Sequence, residues 1–146
     1  MDVDRSELRR GLAAARPYLL AHHVPGRRDR CYRVGRFDVC ARCAGVYPGI
    51  VLGVLAFGFA PRPLASPVLV AVLPLPALLD WTITTLGHWS GTNIVRTATG
   101  AALGYGYGLG LGHLLLAGDL RVLAVGVAYA ALAGGLLAVA RRGGRT

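Results

Sequence analysis

Five residues able to bind a soft metal or carry thiol chemistry fall within one stretch of 22 positions: His22, His23, Cys31, Cys40 and Cys43. Cys40-Ala-Arg-Cys43 is a Cys-x-x-Cys pair whose two thiolates can reach one tetrahedral ion, and Cys31 with one histidine would complete a Cys3His or Cys2His2 set. Thiolate and imidazole together suit zinc, although iron uses similar ligands. The spacing to the earlier ligands is not that of a zinc finger. The segment from Val24 to Cys40 is rich in turn formers and charges and has little helical period, so it reads as an irregular loop that a bound metal would order. The same dithiol fits a redox pair, because a helix start and the intervening Arg42 both favour the thiolate. Cysteines without any ligand satisfy the pattern as well.

A second constellation follows. Asp80, Thr84 and His88 stand at successive four-residue steps, and Ser90, Thr92, Asn93, Arg96 and Thr99 come after them. Asp80 and Arg96 lie in or beside apolar stretches, where a bare charge is costly and is usually paired or functional. Asn93, Arg96, Gly100 and Gly104 share one helical stripe at i, i+3, i+7 and i+11, and Arg42, Gly45 and Gly49 form a similar one. One reading is an Asp80–Arg96 ion pair that sets helix registry. The other is an anion site in which Arg42, Asn93 and Arg96 hold a phosphate or carboxylate head group while Asp80 or His88 handles a proton, which makes those two the catalytic candidates. No Gly-rich phosphate loop, Gly-x-Ser-x-Gly elbow or His-Glu-x-x-His motif is present.

The elements that position these groups belong to a bilayer. The chain has 146 residues, 54% of them hydrophobic, with a mean hydropathy of +0.51, well above a soluble domain of this size. After a polar head come apolar stretches of about 20 residues, each long enough to cross roughly 30 Å of hydrocarbon. The spacing predicts spans over about 44–59, 68–86, 94–116 and 120–140, with Pro61-Arg-Pro63 and Gly118-Asp119 as turns and Pro74 and Pro76 inside the second span. The fold class is therefore all-α: a four-helix membrane domain over 44–140, preceded by a head over 1–43 and followed by a basic tail, 141–146. Within the head a helix over about 6–21, kinked at Pro17, sets Leu8, Leu12, Ala15 and Leu19 on one face and Arg5, Arg9 and Arg16 towards the other, as a helix resting on the membrane surface does. The start lacks the features of a signal peptide and should be retained.

Charge sets the orientation. The formal net charge is +9, and all 16 basic residues are arginine, ten of them in residues 1–43 and three in the tail at Arg141, Arg142 and Arg145. Arginines gathered at two termini beside spans are topology signals, which argues against a nucleic-acid partner and for a multi-pass protein of the cell membrane with both termini cytosolic, beside anionic lipid. The Gly87–Asn93 loop then faces the cytosol with the cysteines, where a disulfide is disfavoured. Gly45/Gly49/Gly53 and Gly100/Gly104/Gly108/Gly112 are ladders of small residues that let helices approach closely, either within the chain or between copies in a homo-oligomer. His113 and Tyr47, Tyr105, Tyr107 and Tyr129 read as packing, each with its polar tip against a backbone group or the interface.

Cys40-Ala-Arg-Cys-Ala-Gly-Val-Tyr47, Thr92-Asn-Ile-Val-Arg-Thr-Ala-Thr-Gly100 and Asp80 between them resemble the motifs of the small prokaryotic membrane proteins grouped as domain of unknown function 2085. The resemblance covers about residues 20–110. Where that family has Cys-His-Gln this chain reads His22-His23-Val24, so the resemblance implies that His22 stands in for a ligating cysteine or that Cys31 takes the role. It implies no activity. The expectations are a zinc-ordered cytosolic module, an enzyme or carrier acting on an anionic lipid or polyprenyl head group, or a thiol redox protein of the membrane.

Overall fold

The computed structural model describes residues 28–34, 37–87 and 89–142. The expected helix over 6–21, the expected ligands His22 and His23, His88 and the last four residues lie outside these. A short 3₁₀ turn, Arg28–Arg30, leads into β1 (Cys31–Val34) and β2 (Phe37–Cys40), followed by α1 (Ala41–Phe59), α2 (Pro67–Val72), α3 (Leu75–Leu86), α4 (Asn93–Leu115) and α5 (Arg121–Arg142).

The irregular loop expected before α1 is instead, over Cys31–Val34 and Phe37–Cys40, an antiparallel strand pair, the hairpin, that sets Cys31 against Cys40 and Tyr32 against Val39. Its strands are rich in Tyr, Val and Phe, which fit a pleated ladder. Charged residues interrupt them and hide that signal from any search for helical period. The rest of the described chain is helical in the expected order. Among the described residues three stretches are long and apolar enough to cross a bilayer: Ala41–Phe59, Pro67–Leu86 and Arg121–Arg142. The third expected span, 94–116, falls on α4, which has the length at 23 residues, but its glycines, Asn93 and Arg96 dilute its apolar content. The second stretch is two helices, because Pro74 and Pro76 remove backbone donors and break the ladder between Val72 and Leu75.

Helix α4 is the hub. It packs along α1, meets α2 and α3, and touches α5 more lightly. The α1–α4 contact is a reciprocal backbone zipper between parallel helices. A Cβ on Gly45, Gly49 or Gly53 would fall well under 3 Å from the carbonyl oxygen of Thr97, Ala101 or Tyr105, and one on Gly100, Gly104 or Gly108 equally close to that of Arg42, Val46 or Ile50. Apolar surface gains little by associating inside hydrocarbon, so such a seam is held by dispersion and Cα–H···O contacts that only glycine permits. The outward faces carry large apolar side chains, among them Phe59 and Ile94, both more than three-quarters exposed.

Polar tips tie the other elements to the hub. Tyr105 Oη donates to the Leu64 carbonyl at 2.9 Å and His113 Nε2 donates to that of Ala65 at 2.8 Å, which holds the α1–α2 turn against α4. Tyr129 Oη on α5 donates at 2.6 Å to the Ala71 carbonyl, in the last turn of α2 where carbonyls lack helical donors. The expected packing role of these three side chains is what the structure shows. The α4–α5 turn needs a left-handed residue, supplied by Gly118 at φ 66°.

Candidate functional site

The chemistry-bearing residues gather at the hairpin end of the bundle. Cys31 and Cys40 stand directly opposite each other across the strands, a position that places Cβ atoms about 5 Å apart. Cys40 is also the residue that precedes α1. Cys43, in the first turn of α1, makes a side-chain hydrogen bond with Cys40 and lies near enough to Cys31 for the two to interact. All three are thiols. The donor set suits a thiophilic ion, but three thiols are one short of a closed tetrahedron. Among the described residues no group of three or more His, Cys, Asp or Glu is gathered closely enough to hold a metal by itself.

The hairpin is seated on the start of α4. Asn93 Nδ2 donates to the Asp29 carbonyl at 3.1 Å. Thr97 Oγ1 lies 2.8 Å from the Ala41 carbonyl and 2.9 Å from that of Asn93. Its single proton serves one of them at a time, leaving the oxygen to accept from Tyr32 Oη at 3.1 Å. The hairpin and the Asn93/Arg96 segment thus share one end of the bundle. Tyr32 and Thr97 do not stand out in the sequence, although Thr97 lies on the Asn93/Arg96/Gly100 stripe, one helical turn beyond Asn93. Replacing Thr97 with valine should cost about 1 kcal/mol, the usual worth of such a bond. Hydrogen exchange should quicken at Arg30–Val34 and Val39–Cys40 while the amides in the middle of α4 stay protected.

The ion pair is not the one the sequence suggests. Asp80 pairs with Arg42 through Oδ2 and Nη2. Arg96 instead donates through Nη1 to Asn93 Oδ1 at 3.1 Å and through Nη2 to the Ser90 carbonyl. The reason is steric. Gly100 has no side chain, and the Arg42 stem passes over that position: a Cβ there would sit 3.2 Å from Arg42 Cγ and collide with the Arg42 carbonyl. The guanidinium of Arg42 therefore crosses the face of α4 to reach α3. Arg96 is turned back under the Ser90–Asn93 loop, which bends at Gly91, φ 68°, where a Cβ would lie 3.4 Å from Arg96 Nη2. Thr84, expected beside Asp80, bonds its own helix at the Asp80 carbonyl, 2.7 Å.

Burial divides the pair unequally. The Asp80 side chain is 2% exposed and that of Arg42 is 26% exposed. Asp80 Oδ1 and Arg42 Nε are buried with no hydrogen-bond partner, so the contact is single-armed rather than a bidentate fork. The carboxylate is sealed behind the guanidinium, and the cation is the partner that meets the surroundings. Arg96 is 5% exposed and its bonds go to neutral acceptors. The polar cluster therefore joins a partly exposed Arg42 to a buried Asp80 and a buried Arg96.

No curated protein and no solved structure shows significant similarity to this chain. The sequence profile of one family of predicted membrane proteins matches residues 23–109, which takes in the hairpin, the Arg42–Asp80 pair and most of the glycine seam. By that match the chain belongs to the domain of unknown function 2085 family.

Proposed function

We propose that this chain is a four-crossing membrane protein with both termini cytosolic, whose cytosolic end is closed by a zinc-ordered hairpin. The placement of Cys31 opposite Cys40, with Cys43 in contact with Cys40 at the start of α1, carries the reading. The fourth donor is a histidine, His22 or His23, from the segment preceding the hairpin. An ion there links the hairpin to the first turn of α1 and so holds Arg42, next to Cys43, in the rotation that sends its side chain across Gly100. In this role the metal is structural, and its binding free energy becomes stability of a cap with little apolar core of its own. The orientation follows from the thirteen arginines in head and tail, and α4 completes the fourth crossing inside the bundle.

Elemental analysis of the purified full-length protein should return about one zinc per chain. Cys40→Ser and Cys43→Ser should each lower zinc content at least tenfold and expose the hairpin to protease. The contact between Cys40 and Cys43 favours one rival, a membrane dithiol that cycles through a disulfide. A metal-free preparation in which oxidation masks two thiols and reduction restores them would replace the metal reading with that one.

A further inference from the structure

Beyond the hairpin lies a cavity of about 720 Å³ between the α2–α3 stretch, α4 and α5. Its walls are almost wholly apolar, with Val70, Ala77, Trp81, Leu103, Leu114 and Ala130 among them, and among the described residues Arg42 is the one charged residue lining it. Along α4 the lining runs from Leu103 to Leu114, about 16 Å at the helical rise. The cavity exists because α5 stands off the bundle: a Cβ on Gly126, which lines it, would meet nothing within 4 Å.

We propose that this crevice binds a single-chain amphiphile with a singly charged anionic head, a long-chain carboxylate, whose chain lies along α4 and whose head meets Arg42. Charge selects the head. The crevice sees the partly exposed cationic member of the Arg42–Asp80 pair, with the carboxylate sealed behind it. Arg42 and Arg96 lie at similar depth, since Arg42 abuts Gly100 and Gly45 abuts Thr97 across the parallel seam. One lining cation matches a head with one negative charge, a contact that a low-dielectric surrounding strengthens. Size selects the chain, because the volume is that of a pocket for one drug-sized ligand. Orientation agrees, since the cation sits at the hairpin end and the apolar lining continues along α4 to Leu114, next to that helix's far end, so a long chain fits with its head at Arg42.

The test uses the full-length Trp89→Phe protein, in which Trp81 is the remaining tryptophan, in zwitterionic phosphatidylcholine nanodiscs. Palmitate carrying a doxyl quencher near its carboxyl end should reduce Trp81 emission at least twofold, saturably, and unlabelled palmitate should reverse the effect. Gly126→Phe, which fills the open slot, should abolish it. The Arg42→Gln/Asp80→Asn double variant should weaken it at least tenfold. Two results on the Trp89→Phe protein itself would overturn the proposal: non-saturating quenching matched by doxyl-labelled phosphatidylcholine, which makes the slot a site for bulk lipid, or equal binding of the labelled methyl ester, which removes the role of charge.

Discussion

Alanine at Gly104 should separate α1 from α4 and cost about 3 kcal/mol, the upper part of the usual range for overpacking. The added methyl would fall well under 3 Å from the Val46 carbonyl oxygen and within 3.0 Å of the Val46 Cα. Both are backbone atoms of a helix, so no rotamer change relieves the clash. Gly45 and Gly108 should behave alike, since each faces a carbonyl in the same way. Gly134 and Gly135 on α5 are the controls. A Cβ on either meets nothing within 4 Å, and alanine there should be neutral or stabilise by up to about 1 kcal/mol through helix propensity. Apparent unfolding free energies from detergent titration of purified variants would measure the contrast. Equal effects at Gly104 and Gly134 would mean that the seam is not the contact that holds the bundle together.

The second large effect is expected at the ion pair, and it should be lopsided. Arg42→Gln strands Asp80, whose side chain is 2% exposed, and removing one partner of a buried pair costs about 3–5 kcal/mol. Asp80→Asn strands Arg42, but that guanidinium is 26% exposed and sits on a flexible stem that can carry the charge towards water, so its loss should be about 1–2 kcal/mol. The double variant Arg42→Gln/Asp80→Asn removes both charges and should be more stable than Arg42→Gln alone. A double-mutant cycle on the same unfolding assay reads this coupling directly. Additive single effects would show that the two residues do not meet.

These expectations connect the seam to the site. Arg42 reaches Asp80 only because Gly100 leaves its stem a passage, so a residue that looks like packing also aims the guanidinium. Any side chain at Gly100 should therefore disturb the pair as well as the helix contact. Asn93 and Arg96 sit at the same end, where they seat the hairpin and hold the Ser90 loop; among the described bonds they contact neutral groups of the chain itself.

Much of this was legible along the chain. The bilayer class, three apolar stretches and the helix of Asn93–Leu115 to within a few residues, the turns at Pro61–Pro63 and Gly118, and the glycine ladders all follow from local rules. Helical rise, hydropathy and four-residue spacing depend on near neighbours in sequence. The same rules put Asn93, Arg96 and Gly100 on one stripe facing the seam. The hairpin escaped because its strands are short and their charges break the apolar alternation. Tyr32, which seats it, had no partner in view until the fold brought Thr97 within reach, 65 positions away.

The sequence by itself therefore determined that this is a membrane protein with three cysteines, and with Arg42, Asp80 and Arg96 in or beside apolar stretches near a glycine seam. Only the tertiary structure decided which charges meet. Asp80 could not be assigned to Arg42 over Arg96 from spacing, because the choice depends on which stem finds an open path across a neighbouring helix and which is bent back under a loop. The apolar crevice was equally invisible, since it is defined by the distance at which α5 stands from the hub and not by any residue pattern. Local hydrogen bonding and hydropathy write the helices into the chain, whereas partner choice and empty space arise from the packing of helices against one another.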